Sequence, residues 1–154
     1  MIKVLFICHG NICRSPMAEF VLRDMVRKQG LGQQFHIESA ATSAEEIGNP
    51  VHCGTRKKLA SVGISTDGKR AVRLQKSDYE KYDFLIGMEG INVRNMICML
   101  GGDPEKKIYR LLDFSDSPRN IADPWYTGNF DETYKDVVEG CEAFLEYLKK
   151  QHRI

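Results

Sequence analysis

The chain has 154 residues, 42% of them hydrophobic and 28% charged, proportions that fit a single globular domain with one core over residues 1–154. Its 22 Lys and Arg face 21 Asp and Glu for a formal net charge of +1, which gives no electrostatic reason for nucleic acid or an anionic membrane as a partner. The first residues lack the pattern of a signal peptide and no stretch is long enough for membrane insertion, and the five scattered cysteines read as reduced thiols, so a cytoplasmic protein without a disulfide framework is expected.

Ile2 to Ile7 is an apolar, β-branched run of strand length. Directly after it comes Cys8-His9-Gly10-Asn11-Ile12-Cys13-Arg14-Ser15-Pro16. Ser15 followed by Pro16 reads as an N-cap hydroxyl and the first helical position, so a helix is expected to start there with its free N–H groups aimed back at the loop. Gly10 and Asn11 tolerate the backbone angles needed to turn several amides toward one anion, and Arg14 adds a fork of donors matching two phosphate oxygens. Cys8, at the end of the strand, would face that positive field, which favours thiolate over thiol and makes a nucleophile.

Met17, Ala18, Val21, Leu22, Met25 and Val26 give the first helix a broad apolar face. A second strand is expected over Phe35–Ser39, a helix over Thr55–Val62 closed by Gly63, and a third strand over Phe84–Met88. A helix over Asn92–Leu100 closed by Gly101 and a fourth strand over Ile108–Leu112 follow. Tyr134, Val137, Val138, Cys141, Phe144, Leu145 and Leu148 form one side of a last amphipathic helix. This alternation predicts an α/β fold of three layers, an open four-stranded parallel sheet with helices on both faces, whose ligand would bind beyond the carboxyl ends of the strands, where Cys8 lies. Between Asp113 and Asn129 no periodicity is evident, and long loops of this kind are often functional. That loop holds Asp113, Asp116 and Asp123, with Asp131 just beyond, and spacing alone does not choose among them as a general acid.

The nine-residue string from Cys8 to Pro16, together with Asp123-Pro124-Trp125-Tyr126, resembles the low-molecular-weight protein tyrosine phosphatase family over nearly the whole chain. The resemblance implies hydrolysis of protein phosphotyrosine through a phosphocysteine intermediate. It assigns Cys8 as nucleophile, Arg14 as transition-state clamp and Asp123 as general acid. The amides of residues 9 to 14, hence His9, Gly10, Asn11, Ile12 and Cys13, would bind phosphate, Ser15 would assist the sulfur, and Trp125 and Tyr126 would wall the aromatic ring. Asn11 would hold the loop shape, with Ser39 as its supporting hydroxyl. Tyrosine-phosphorylated protein is the implied substrate, with inorganic phosphate or vanadate as competitive ligands.

Some positions depart from that pattern. His9 stands where relatives more often carry an apolar or small residue and reads as a surface histidine; Ala44-Glu45-Glu46 makes one side of the entrance acidic; Gly68 stands where many relatives have a histidine behind the loop. Gly63 to Lys69 has the glycine and lysine spacing of a nucleotide loop, but Arg70 occupies the place of the magnesium-binding hydroxyl. No metal or other cofactor is expected, because the four histidines have no ligand spacing. Protein arginine phosphatases of the same fold are an alternative, although they characteristically carry threonine where this chain has Ile12 and lack the paired aromatics. Arsenate reductases would need a cysteine relay that Cys53, Cys98 and Cys141 do not suggest by their spacing. Sugar-transport phosphocarrier domains, which also accept phosphate on a cysteine, are the alternative from a different class and need neither Arg14 nor Asp123.

Overall fold

The computed structural model describes residues 1–154. Four parallel strands, β1 (Ile2–Cys8), β2 (Phe35–Ala41), β3 (Phe84–Gly87) and β4 (Ile108–Arg110), lie in the order β2-β1-β3-β4. The chain leaves β1 toward β2 and then crosses to the other side for β3. The crevice where neighbouring connections diverge therefore opens at the carboxyl end of β1, the usual ligand position in open α/β sheets.

Side chains alternate across β1, and this divides the core in two. Val4, Phe6 and Cys8 pack with α1 (Arg14–Lys28) and α6 (Phe130–Lys150), including Met17, Leu22, Phe144 and Leu148. Leu5 and Ile7 face the opposite layer, where Tyr79 of α3 (Asp78–Lys81) and Met96 and Leu100 of α4 (Gly90–Leu100) cover them. A fully buried side chain such as Phe144 contributes about 1.5–3 kcal/mol through area removed from water. The remaining helices are α2 (Cys53–Ser61), whose Leu59 joins the first cluster, and α5 (Pro124–Thr127). None of the helices is long and apolar enough to cross a membrane.

Three expected boundaries shift for identifiable reasons. The first helix begins at Arg14, and Ser15 is not its N-cap: Cys13 holds that position without a side-chain cap, because the Ser15 hydroxyl is turned onto the Cys8 sulfur. The fourth strand ends at Arg110, since Leu111 and Leu112 turn through a 3-10 segment into the core, where Leu111 fills the space left by the missing side chain of Gly140 on α6. Helix α6 starts earlier than its apolar face announces, at Phe130, because Asn129 caps it by accepting from the Glu132 amide at 3.0 Å. The two four-residue helices, α3 and α5, are too short to show a period.

Candidate active site

The loop between β1 and α1 curls around the Cys8 sulfur. Asn11 has φ of +60°, a left-handed conformation that asparagine adopts more readily than most residues, and this bend sends the Asn11 amide to Cys8 Sγ at 3.3 Å. The amides of His9, Gly10, Ile12 and Cys13 donate to no acceptor within the protein. They form, with the amino end of the 15-residue helix α1, a set of directed donors of the kind that binds an anion.

Asn11 also fixes the loop from behind. Its Oδ1 accepts from the Val72 amide at 3.1 Å, which leaves Nδ2 to donate to Ser15 Oγ at 2.8 Å and to Ser39 Oγ at 2.9 Å. Ser15 Oγ lies 3.0 Å from Cys8 Sγ. The expected place of Ser39 is thus occupied, even though Gly68 offers no side chain to it. Its hydroxyl donates to the buried carboxylate of Glu19.

Arg14 is 2% exposed and held from three sides. One terminal nitrogen donates to the Ile121 carbonyl at 2.8 Å; the other reaches Glu89 Oε1 at 3.1 Å and Asp123 Oδ2 at 3.4 Å. Glu89 is itself fixed as the residue that opens α4, with Asn92 Oδ1 accepting from its amide at 3.0 Å. Among the four aspartates left open by spacing, Asp123 is the one that meets the arginine. It caps α5, accepting from the Trp125 amide at 3.0 Å through Oδ1.

These parts enclose an open pocket of about 170 Å³. Cys8, His9, Gly10, Ile12, Cys13 and Arg14 form its floor and one wall; Asp123, Trp125 and Tyr126 form another; Glu45 and Glu46 complete the rim. Asn11 and Ser15 stand behind the floor, buried, and do not line it. Trp125 is 59% and Tyr126 84% exposed, so two aromatic faces remain free beside the pocket. His9 is exposed, as a surface histidine would be, and also lines the pocket, its Nε2 3.4 Å from Glu45 Oε2. Burial, reinforced by the neighbouring Cys8 and Asp123, pushes the Cys13 thiol up to about 12, so it lines the floor as a neutral group.

Several contributors were not visible as such in the sequence. His52 caps α2 through Nδ1, stacks on Phe130 with centroids 5.4 Å apart, and meets Trp125 edge-on at 5.5 Å, so it seats the aromatic wall. Thr55 Oγ1 donates to the Cys13 carbonyl at 3.1 Å and joins α2 to the loop. Glu19, Lys69 and Glu89 lie far from the motif or inside a helix, where no local pattern assigns them to the site.

Comparison with known proteins agrees with this geometry. The family model described as low molecular weight phosphotyrosine protein phosphatase matches residues 3–154. The chain is similar to the low molecular weight protein-tyrosine-phosphatase YfkJ of Bacillus subtilis, 40% identical with both chains covered in full. It superposes on the YfkJ crystal structure with a TM-score of 0.94 at 42% identity, covering 98% of this chain and 96% of that one. The low molecular weight protein tyrosine phosphatase SP-PTP of Streptococcus pyogenes gives 0.87 at 39% identity, with both chains covered in full. The Drosophila arginine phosphatase DARP gives 0.87 at 29% identity, covering 96% of this chain and 98% of that one. The resemblance carried by Cys8 to Pro16 and by Asp123 to Tyr126 thus extends through sequence and fold alike, and the chain belongs to the low molecular weight phosphotyrosine protein phosphatase family.

Proposed function

We propose that residues 1–154 act as one catalytic domain that hydrolyses protein phosphotyrosine, with Cys8 as nucleophile, Arg14 as clamp and Asp123 as general acid and base. The observation that carries this assignment is the ring of unpaired loop amides and the Arg14 guanidinium around one cysteine sulfur.

Cys8 thiolate attacks phosphorus in line, forming the S–P bond as the P–O bond to the phenol breaks. The loop amides and Arg14 take up the charge on the equatorial oxygens. Asp123 gives its proton to the leaving phenolate oxygen. Water then attacks phosphorus while the Asp123 carboxylate takes its proton, the S–P bond breaks, and inorganic phosphate and the Cys8 thiolate are released. Ser15, lying 3.0 Å from the sulfur, donates to it and eases its departure. A phosphate on Arg14 competes with the Asp123 contact at 3.4 Å and frees that carboxyl oxygen for the leaving group. Phosphate and vanadate are expected to compete for the same amides. Five free cysteines, Cys8 among them, suit a reducing compartment, which supports a cytoplasmic location.

Side-by-side turnover of phosphotyrosine, phosphoarginine and phosphoserine peptides tests the substrate class; phosphotyrosine should lead and inorganic phosphate should be released catalytically. Single-turnover transfer without phosphate release would instead describe a phosphocarrier. Asp123→Asn should slow phenyl-type substrates by about 10²-fold or more and activated leaving groups much less. Equal losses across a series of aryl phosphates would remove Asp123 as the acid.

Arginine phosphatase activity is the second reading, favoured by the likeness to DARP. The branched Ile12 side chain on the pocket wall and the exposed rings of Trp125 and Tyr126 favour a flat aromatic ester. Ile12→Thr should raise the ratio of phosphoarginine to phosphotyrosine turnover, and an unchanged ratio would remove Ile12 as the discriminating residue.

A further inference from the structure

Behind the phosphate loop lies a charged cluster that the reaction itself does not touch. Glu19, on the first helix, is 1% exposed, and Lys69, from the segment after α2, is 9% exposed by its side chain. Lys69 Nζ is 3.3 Å from Glu19 Oε1 and donates to the Ser39 carbonyl at 2.8 Å. Arg23, one turn further along α1, meets Glu19 Oε2 at 2.8 Å and Glu38 at 3.2 Å. Burial drives the Glu19 carboxyl upward from its ordinary range, while Lys69, the Ser39 hydroxyl and Arg23 pull it back. A carboxylate at this depth is costly unless paired, and Lys69 and Arg23 are the cations that pair it.

The directions of the hydrogen bonds from Val72 to Asn11 and from Asn11 to the two serines are determined. The Val72 amide can only donate, so Asn11 presents Oδ1 to it and Nδ2 to both serines. Each serine hydroxyl has one hydrogen. That of Ser39 goes to Glu19, and that of Ser15, whose oxygen already accepts from Asn11, goes to Cys8 Sγ when the sulfur is a thiolate, which can only accept. If Glu19 ceased to be an acceptor, Ser39 could turn its hydrogen elsewhere, and the Asn11 amide that shapes the loop would lose a defined partner.

We propose that Lys69 is a positioning residue of the phosphatase reaction: with Arg23 it keeps Glu19 as the buried acceptor that orients Ser39, Asn11 and Ser15 toward the Cys8 sulfur. This rests on Cys8 being the nucleophile. The other titratable or charged groups facing the two ends are Glu38 and Tyr82 beside Glu19, and His9, Cys13, Arg14, Glu45, Glu46, Asp123 and Tyr126 around the Cys8 pocket. None of them bonds to Ser39 or Asn11, so none can substitute for Lys69 in this arrangement.

The test is the rate at which iodoacetamide alkylates Cys8, followed by peptide-resolved mass spectrometry from acidic to neutral pH, in wild type, Lys69→Met, Lys69→Arg and Ser39→Ala. At mildly acidic pH the Lys69→Met rate should fall by about threefold or more, the scale on which a coupled network transmits a change. Lys69→Arg should stay near wild type, and Ser39→Ala, which keeps the charges but cuts the path, should fall like Lys69→Met. The pH profile of kcat/KM should move in the same direction. Unchanged alkylation and pH profiles in folded Lys69→Met, with only a lower melting temperature, would overturn the proposal, as would equal losses in the arginine variant. Should Lys69→Met not fold, Lys69→Arg and Ser39→Ala decide: a wild-type rate in Ser39→Ala overturns the proposal. Failure of the nucleophile assignment is seen separately, as turnover surviving in Cys8→Ser.

Discussion

Cys8→Ser should lower turnover by more than about 10⁴-fold, the scale seen when a covalent nucleophile is removed, while phosphate and vanadate should still bind. The two effects separate because different atoms carry them. Only the sulfur can form the phosphocysteine, whereas the anion would be held by the unpaired amides of His9, Gly10, Ile12 and Cys13 and by Arg14. Serine is slightly smaller but offers an oxygen that can accept the Asn11 amide in place of the sulfur, so the loop should keep its curl. Isothermal titration with vanadate beside a turnover assay checks both halves. Substantial turnover would remove the covalent route, and loss of binding would mean that the loop collapses without sulfur.

Arg14→Lys should cost about 10²- to 10³-fold in kcat, comparable to removing a preorganised donor from a transition state. The guanidinium is fixed by three partners at once, the Ile121 carbonyl, Glu89 and Asp123, and its plane is set by them. A lysine ammonium keeps the charge but cannot span those partners and still offer two parallel donors to a phosphoryl group. The loss should appear in kcat more than in KM, because the forked contact matters most when charge spreads over the equatorial oxygens. A lysine variant that retains most of the wild-type kcat would show that charge alone suffices and that the fork is dispensable.

The sequence showed the nucleophile loop well because its chemistry is local. Strand, cysteine, loop, arginine and helix follow one another within fifteen residues, and each leaves a mark in residue type. The alternation of strands and helices likewise disclosed the sheet and its two covered faces. The reading failed where a side chain does a distant task. Ser15 looks like a cap, but its hydroxyl is drawn to Cys8, and the helix begins two residues earlier than the capping pattern implies. Leu111 and Leu112 read as strand because they are apolar, yet they turn inward to meet α6.

The supporting cluster was invisible for the same reason. Glu19 lies inside the first helix with nothing local to mark it as buried, and its partner Lys69 lies fifty positions away in a segment whose glycine and lysine spacing is that of a nucleotide loop. Gly68 has no side chain to offer where many relatives have a histidine, and the residue after it, Lys69, reaches Ser39 and Glu19. His52 belongs to the same class, since stacking against Phe130 and Trp125 depends on the approach of three segments that no local pattern records.

The central claim, that phosphate passes through the Cys8 sulfur and leaves with the help of Asp123, is tested most directly by acid-quenching Asp123→Asn during turnover of an activated aryl phosphate. Peptide mass spectrometry of the quenched protein should find one phosphoryl group on Cys8, accumulated because the amide cannot take a proton from the attacking water. A phosphoryl group on any other residue, or none on Cys8 while phosphate is still being released, would contradict it.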